Sequence, residues 1–255
     1  MAFLEAHFWS EALKMQCEMW VLLPQSRPRD GRTGHPTLYL LHGLSDDQTI
    51  WLRRTSVERY VETMGLAVVM PTVHRGFYTD MAAGGRYWQF ISEDVPRAAR
   101  MFFPLSDKRA DNFVAGLSMG GYGAFKLALR QPGQWAAAAS MSGAMDITQR
   151  VSGDESDWTN EMQRIFGPPE AARGSDNDLF HLASSLKRSR RPRPALYQLC
   201  GDKDFLYHEN LAFRDHCRRL KLDLRYEEDA GYGHTWDYWD LCIKRVLAWL
   251  PLTRA

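Results

Sequence analysis

A serine between two glycines is the feature of this chain that most directly indicates chemistry. Residues 112–121 read as a short apolar run, then Gly116-x-Ser118-x-Gly120, and then small residues that begin a helical pattern. This order of strand, sharp turn and helix is that of a nucleophile elbow, whose strained turn presents the serine hydroxyl. The two glycines lack the Cβ atoms that would collide with the adjacent strand and helix. The pattern predicts Ser118 as a nucleophile, with the N–H of Met119 aimed at the place where negative charge would form.

Two later segments could supply the base and the acid that a serine nucleophile needs. Asp202 and Asp204 follow one predicted strand, and His234 follows the next. Open parallel sheets bind ligands at the carboxyl ends of their strands, and both segments lie there. The order serine, acid, histidine is also the order that follows such an elbow. We therefore predict His234 as the base. Spacing alone does not decide whether Asp202 or Asp204 is the acid, and the aspartate that is not the acid is expected to stabilise the turn.

The segment 38–44 could supply the second half of an anion site, because an apolar run ends there in His42-Gly43. The backbone N–H of Leu44 is predicted to join that of Met119 as an oxyanion hole. Gly43 would let this loop approach the reacting carbonyl closely. We expect the ring of His42 to pack and hydrogen-bond behind the loop rather than to take a catalytic role.

Four aromatic residues near predicted strand ends or motif segments are candidates for the wall of a small apolar acyl site. Such a site would favour short acyl chains. For each residue taken singly, ordinary core packing is the alternative interpretation. The four candidates are Trp51, Tyr78, Trp88 and Trp236.

The rest of the pattern predicts the elements that position these residues. Rough alternation over 3–23 predicts two antiparallel strands, and the polar segment 25–36 predicts a loop. Five apolar runs are suited to buried parallel strands and lie at 37–41, 66–70, 113–117, 137–141 and 195–199. A more polar run at 222–227 is suited to a strand at the edge of the sheet. Helical patterns separate them at 50–64, 87–103, 119–130, 207–220 and 236–249.

The alternation of strand and helix predicts an α/β fold with a mostly parallel central sheet, antiparallel N-terminal strands and flanking helices. The length of 255 residues fits one large domain or two small ones, and we predict a single domain over 1–255. Residues 146–190 break the alternation. We expect short helices over the sheet edge there, as a lid or substrate wall, with a purely structural excursion as the alternative.

Charge and composition argue against several classes of protein. The net charge of +1 creates no field that would favour nucleic acid or an anionic membrane, and the basic run 187–193 is expected to be a solvated loop. No run approaches the ~18 apolar residues of a membrane span. No metal-ligand spacing such as His-x-x-x-His appears, so we expect no metal site. An apolar edge or lid surface could support a homo-oligomer.

Cysteine usage and the N-terminus predict a cytoplasmic protein. The N-terminus lacks the basic and apolar stretches of a signal peptide, and the four scattered cysteines include no Cys-x-x-Cys. For a chain of this length they indicate reduced thiols rather than a disulfide framework. Cys200, inside an apolar run, is expected to lie in the core. An extracellular form stays open as the alternative.

Several motifs run in one order over nearly the whole chain. The first motifs are Leu-His-Gly-Leu-Ser at 41–45, Trp-Leu-Arg-Arg-Thr at 51–55, Val-Val-Met-Pro at 68–71 and Gly-Phe-Tyr-Thr-Asp at 76–80. They are followed by Gly-Leu-Ser-Met-Gly-Gly-Tyr-Gly at 116–123, Cys-Gly-Asp-Lys-Asp-Phe-Leu-Tyr at 200–207 and Gly-His-Thr-Trp at 233–236. In these motifs the chain resembles the esterase D-like α/β-hydrolases, and among them the bacterial tributyrin esterases. The resemblance implies an α/β-hydrolase fold and a serine carboxylesterase that hydrolyses short-chain acyl esters without a cofactor. It also implies Asp204 as the acid.

Two related subfamilies match less well. S-formylglutathione hydrolases usually carry a cysteine shortly after the oxyanion glycine and a longer Gly-Lys-Asp-Asp-Gln-Phe-Leu acid motif, whereas this chain has Ser-Asp-Asp at 45–47 and Gly-Asp-Lys-Asp-Phe at 201–205. Mycolyltransferases of the antigen 85 type share the elbow and the His-x-Trp but are normally exported. S-formylglutathione hydrolysis and acetyl- or feruloyl-sugar hydrolysis stay open as alternatives. A non-catalytic binding protein is a further alternative, which the complete triad disfavours.

Overall fold

The computed structural model describes residues 1–28 and 33–252, and an eight-stranded sheet lies at its centre. The strands are β1 (Ala2–Ser10), β2 (Met15–Leu23), β3 (Thr37–Leu41), β4 (Ala67–Pro71), β5 (Asn112–Leu117), β6 (Ala137–Met141), β7 (Ala195–Gly201) and β8 (Arg225–Asp229). Their order across the sheet is β1-β2-β4-β3-β5-β6-β7-β8. Residues 29–32 of the loop predicted at 25–36 lie outside the described residues.

The pairing of the strands is mixed. β1 pairs antiparallel with β2, and β2 pairs antiparallel with β4. Every other pair, from β4 across to β8, is parallel. The prediction of a mostly parallel sheet with antiparallel N-terminal strands is confirmed. Because β3 to β8 run in one direction, their carboxyl ends meet at one edge of the sheet.

Helices cover both faces of the sheet. They are α1 (Ile50–Arg54), α2 (Val57–Val61), α3 (Tyr87–Gln89), α4 (Val95–Phe102), α5 (Met119–Arg130), α6 (Ile147–Arg150), α7 (Asp157–Phe166), α8 (Pro169–Ala172), α9 (Leu179–Arg188), α10 (Tyr207–Leu220) and α11 (Trp236–Trp249), with a π turn at Phe90–Asp94 and a 3-10 turn at Arg109–Asp111. The short helices expected within 146–190 are present as α6 to α9. Lys187 and Arg188 of the basic run end α9, and residues 190–193 are exposed.

Two apolar cores result, one on each face. Alternate residues of β5 enter different cores: Val114 belongs to the core that contains residues of α4, α5 and α10, whereas Phe113 and Ala115 belong to the core that contains residues of α1, α2 and α11. Strands buried on both faces read as continuous apolar runs, which is why their positions are visible in the sequence. Cys200 is fully buried, as predicted.

The helix predicted at 50–64 is broken into α1 and α2. Thr55 takes an extended conformation and its hydroxyl donates to the carbonyl of Trp51 at 2.6 Å, which ends α1. The N–H of Ser56 then donates to Oδ1 of Asp240 at 2.8 Å. This contact with α11 starts α2 at a new angle, and a tertiary contact of this kind leaves no trace in the local pattern.

Two other predicted elements differ in detail. The helix predicted at 87–103 contains the π turn Phe90–Asp94, where Oδ2 of Asp94 accepts hydrogen bonds from the side chain of Ser10 and the N–H of Ala12. The strand predicted at 222–227 begins only at Arg225, because Leu222 closes the end of α10 and is buried in a core. β8 does lie at an edge of the sheet, as predicted. Among the described residues, no helix is long and apolar enough to span a membrane.

Candidate active site

Ser118 lies in the sharp turn between β5 and α5. Its backbone has φ 52° and ψ −118°, a strained conformation for a residue with a Cβ. The turn is held on both sides, because the N–H of Ser118 donates to the carbonyl of Met141 at 2.9 Å and its carbonyl accepts from Ala144 at 3.1 Å. The strained turn predicted from Gly116-x-Ser118-x-Gly120 is therefore present.

Both glycines of the elbow are required by close packing. A Cβ on Gly116 would lie 2.4 Å from the backbone of Gly120. A Cβ on Gly120 would lie 2.5 Å from the carbonyl oxygen of Leu41 at the end of β3. Real Cβ atoms do not approach other atoms so closely, so α5 can dock on β3 and β5 only with glycine at these positions.

Leu44 and Met119 are the two residues predicted from the sequence to supply the N–H groups of an oxyanion hole. Met119 is the first residue of α5, and the first N–H groups of a helix have no partner within it. Leu44 follows the carboxyl end of β3, the strand that pairs with β5. Leu44, Ser118 and Met119 all line one cavity. The helix N-terminus adds a partial positive charge on the same side.

The loops after β7 and β8 bring an aspartate and a histidine together. Oδ2 of Asp204 lies 2.8 Å from Nδ1 of His234. Oδ1 of Asp204 accepts the N–H of Leu206 at 2.8 Å, which fixes the carboxyl group. The Asp204 side chain is fully buried and that of His234 is 18% exposed, so the carboxylate lies behind the ring and the ring faces the cavity.

The carboxyl of Asp204 stays ionised despite its burial. Burial raises its pKa, but the hydrogen bond and charge of His234 and the N–H of Leu206 lower it by more, and the net shift of the pKa is downward. An ionised carboxylate only accepts hydrogen bonds, so Nδ1 of His234 must carry the proton. The other ring nitrogen, Nε2, is then free to accept a proton from the cavity.

Asp202, the other candidate acid, points elsewhere. Its Oδ1 accepts the N–H of Gly231 at 2.7 Å, and its own N–H donates to the carbonyl of Asp229 at 3.1 Å. A second bond joins the N–H of Lys203 to the carbonyl of Tyr232 at 2.9 Å. Asp202 therefore ties the loop after β7 to the loop after β8, which is the turn-stabilising role that the sequence left open.

Two aromatic rings contact the ring of His234. Phe205 lies 4.5 Å from it, centroid to centroid, and Trp239 lies 4.8 Å from it in an edge-to-face arrangement. Trp239 is buried, whereas Phe205 is 76% exposed. The pair limits rotation of the imidazole and covers one side of it with an exposed apolar ring.

Ser118 and His234 share a cavity of about 520 Å³ with Leu44 and Met119. Its apolar lining comes from Phe77, Ala144, Trp158, Phe205 and Leu206, and its polar lining from Gln149, Arg150 and Glu209. Three of these residues, Gln149, Arg150 and Trp158, belong to the segment 146–190. That segment forms part of the cavity wall; whether it moves as a lid stays a prediction.

A nearly buried ion pair lies in the cavity wall. The guanidinium of Arg150 contacts both carboxylate oxygens of Glu209, at 2.6 and 3.0 Å, and the N–H of Asp146 donates to the same carboxylate at 2.8 Å. The two side chains are only 12% and 13% exposed. The pair joins α6, in the segment 146–190, to α10, which follows Asp204.

The structure corrects the expectation that four aromatic residues form the acyl site, because none of the four is among the described residues that line this cavity. Trp51 and Tyr78 are buried beside the end of β3. Trp88 lies under the cations of Lys126 and Arg130 on α5. Trp236 packs edge-on against Trp51. The sequence placed these residues near strand ends but carried no signal for the direction of their side chains.

Most residues of the cavity wall could not be predicted from the sequence. Phe205 and Leu206 directly follow Asp204, so their position next to a candidate acid could have indicated that they line the cavity. Arg150 and Glu209 are 59 residues apart, and nothing in the sequence pairs them. His42 is buried and hydrogen-bonded to the carbonyl of Gly43, and the packing predicted for its ring is present. Among residues 1–28 and 33–252, no cluster of three or more His, Cys, Asp or Glu side chains could hold a metal ion.

Comparison with known proteins identifies relatives over the whole length of the chain. A protein-family profile described as Putative esterase matches residues 10–250. An acetyl esterase of Caldicellulosiruptor saccharolyticus is 31% identical, with 98% of each chain covered. A diacylglycerol acyltransferase/mycolyltransferase of Mycobacterium leprae is 27% identical, covering 83% of this chain and 74% of the relative.

Solved structures show the same fold. A fluorophosphonate-binding serine hydrolase of Staphylococcus aureus, determined with bound substrate, has a TM-score of 0.89 and 34% identity, with 98% of each chain covered. An S-formylglutathione hydrolase of Staphylococcus aureus has a TM-score of 0.87 and 34% identity over the same shares. These neighbours are α/β-hydrolases, so the predicted fold class is confirmed.

Proposed function

The chain belongs to the Putative esterase family and is a serine carboxylic ester hydrolase, and we propose that Ser118, His234 and Asp204 are its catalytic triad. The observation that carries the proposal is the 2.8 Å contact between Asp204 and Nδ1 of His234, with Nε2 left free in the cavity that Ser118 lines. This is the orientation that a base needs in order to accept the serine proton.

The reaction follows from these positions. Oγ of Ser118 attacks the ester carbonyl carbon while Nε2 of His234 takes its proton. The tetrahedral intermediate places its negative oxygen at the N–H groups of Leu44 and Met119, each worth about 3 kcal/mol of barrier in comparable sites. His234 then gives the proton to the departing alcohol, which leaves an acyl group on Ser118.

Water completes the cycle. Nε2 of His234 takes a proton from the water as its oxygen attacks the acyl carbonyl, and the proton returns to Oγ as the acid leaves. Asp204 stays ionised throughout and stabilises the imidazolium that forms twice. No cofactor enters any of these steps.

We propose esters of short acyl groups as the substrates. Similarity to an acetyl esterase over 98% of both chains supports this class. The apolar residues Leu44 and Phe77 lie on the cavity wall with the proposed oxyanion donors. A second candidate is S-formylglutathione hydrolysis, which the 34% identity to an enzyme of that activity supports.

Initial rates on a panel of esters test the proposal. The panel contains p-nitrophenyl acetate, butyrate and octanoate, tributyrin, acetylated xylan and S-formylglutathione, with wild type and Ser118→Ala measured side by side. We expect turnover that depends on Ser118 and is highest with acetate or butyrate. Fast S-formylglutathione hydrolysis with weak ester hydrolysis would select the second candidate. Full turnover in Ser118→Ala would overturn both.

A further inference from the structure

Three successive carbonyl groups at the end of β3 each accept a hydrogen bond from an aromatic side chain. Nε1 of Trp51 donates to the carbonyl of Leu41 at 3.0 Å, and the hydroxyl of Tyr78 donates to the carbonyl of His42 at 2.8 Å. The ring of His42 bonds the carbonyl of Gly43 through Nδ1 at 2.7 Å. All three side chains are at most 1% exposed, so no water can replace these donors.

The direction of the His42 bond is fixed by its other nitrogen. The N–H of Val73 donates to Nε2 of His42 at 3.0 Å, so Nε2 carries no proton. Burial lowers the pKa of His42 to about 4, with smaller influences from nearby groups, and the ring is neutral at pH 7. The single ring proton therefore resides on Nδ1 and points at the carbonyl of Gly43.

That carbonyl belongs to the same peptide group as the N–H of Leu44. A peptide group is planar, and in its trans form the carbonyl and the N–H point in opposite directions. Holding the carbonyl of Gly43 toward the His42 ring thus turns the N–H of Leu44 away from the ring. Leu44 lines the cavity that contains Ser118.

The geometry points to a brace in which Trp51, Tyr78 and His42 position the N–H of Leu44 as an oxyanion donor. We call these three side chains the aromatic brace. The inference rests on the proposed function, since it concerns the anion site of the same reaction. It assigns positioning roles to three residues that are absent from the lining of the cavity.

The aromatic brace also sets the distance between the two donors. A Cβ on Gly120 would lie 2.5 Å from the carbonyl oxygen of Leu41 and 2.6 Å from that of His42, so the first turn of α5 packs directly on the braced carbonyls. That turn supplies the second donor, the N–H of Met119. Because a displacement of about 1 Å in a catalytic group can lower a rate by about 100-fold, loosening the carbonyls should lower catalysis without removing any donor.

A matched pair of substitutions at His42 separates positioning from simple packing. The amide nitrogen of His42→Asn can take the place of Nδ1 and donate to Gly43, but it leaves the N–H of Val73 unpaired. The amide oxygen of His42→Gln can take the place of Nε2 and accept from Val73, but it leaves the carbonyl of Gly43 with only the long 3.4 Å bond from the N–H of Asp46. Only His42→Gln should lose the orientation of the Leu44 peptide group.

We expect kcat of His42→Gln on p-nitrophenyl acetate to fall roughly 10- to 100-fold with KM nearly unchanged, and kcat of His42→Asn to stay within about threefold of wild type. Affinity for a trifluoromethyl ketone, which forms a tetrahedral oxyanion with serine, should fall in proportion to kcat. Equal kcat values in the two variants, or an unchanged ketone affinity in His42→Gln, would overturn the inference. A loss of kcat that matched the loss of thermal stability of each variant would also overturn the inference.

Tyr78→Phe keeps the inference testable if the His42 variants do not fold. This variant retains the ring and loses only the hydroxyl that donates to the carbonyl of His42. We expect kcat and ketone affinity to fall together by roughly 3- to 10-fold. Unchanged values for both would contradict the aromatic brace. Ser118→Ala is measured in the same assay, since full activity there overturns the triad, whereas loss of activity there with no effect in Tyr78→Phe overturns the brace alone.

Discussion

The two sides of the cavity are built from different kinds of contact. On the oxyanion side, which holds the proposed donors Leu44 and Met119, the end of β3 is held by neutral groups that are at most 1% exposed: Trp51, Tyr78 and His42. On the acid–base side, the contacts are charged and nearer to solvent. There Asp204 faces His234, which is 18% exposed, and Phe205 is 76% exposed.

The difference follows from what each side has to do. An oxyanion donor must stay at one position, and buried neutral hydrogen bonds hold a position independently of salt and of pH near 7. A base must exchange protons with substrate and water, so it has to reach the cavity and change charge. The acid–base side should therefore respond to changes of charge, and the oxyanion side to changes of shape and hydrogen bonding.

The largest expected effect is the loss of charge on Asp204. Asp204→Asn keeps the size of the side chain but removes the carboxylate that holds the proton on Nδ1 of His234. We expect kcat on p-nitrophenyl acetate to fall by roughly 10³- to 10⁴-fold with little change in KM. Asp202→Asn is the matched control and should keep most of the activity. Equal losses in the two variants would show that the assignment of the acid is wrong.

Breaking the ion pair in the cavity wall should have the next largest effect, on stability. Glu209→Ala leaves the guanidinium of Arg150 nearly buried without its charged partner, and we expect the free energy of unfolding in urea to fall by about 3 to 5 kcal/mol. The control is Glu161→Ala, which breaks an exposed pair with Arg75 and should cost less than about 1 kcal/mol. Similar losses of unfolding free energy in the two variants would mean that the pair of Arg150 and Glu209 contributes no more to stability than an exposed ion pair.

His42 should make stability depend on pH on the oxyanion side. Its pKa is about 4 in the folded chain, against an ordinary value of 6.5, because burial disfavours the charged ring. Between these values the unfolded chain binds more protons, so the unfolding free energy is complete above pH 6.5 and falls as the pH approaches 4.

The expected loss from His42 is ~3 kcal/mol over that interval. Urea denaturation at a series of pH values measures it, with His42→Asn as the reference because asparagine does not titrate. Wild type should lose ~3 kcal/mol more than the variant between pH 6.5 and 4. Parallel curves would show that His42 titrates normally in the folded chain.

The smallest expected effect concerns the exposed ring beside the base. Phe205→Ala removes the ring that packs on His234 and should lower kcat/KM for p-nitrophenyl acetate by roughly fivefold. Phe102→Ala removes an exposed ring that is absent from the cavity lining and serves as the control. A loss as large as that of Asp204→Asn would mean that Phe205 does more than pack.

The buried strands and the long helices could be predicted closely from the sequence. The strand predicted at 37–41 coincides with β3, and the helix predicted at 119–130 coincides with α5. Strands buried on both faces show as unbroken apolar runs, and the glycines of the elbow mark the turn between β5 and α5. Where tertiary contacts decide, as for Ser56 with Asp240 between α1 and α2, the local pattern predicts one helix in place of two.

The direction in which side chains point could not be predicted from the sequence. The predicted pocket residues Trp51 and Tyr78 do lie near the site, yet their polar atoms face the carbonyls of β3 instead of the cavity. The choice between Asp202 and Asp204 likewise depends on which carboxyl group faces His234. Spacing along the chain places residues at a strand end but does not give the orientation of their side chains.

The most direct test of the central claim is the location of the acyl group during turnover. Wild type is mixed with p-nitrophenyl butyrate, quenched in acid within the first turnover, digested and examined by mass spectrometry. The account predicts one butyryl group on the peptide that contains Ser118, and none on the matching peptide of Ser118→Ala. A butyryl group on another residue of the active wild-type enzyme, or turnover without any acyl adduct together with full activity of Ser118→Ala, would contradict it.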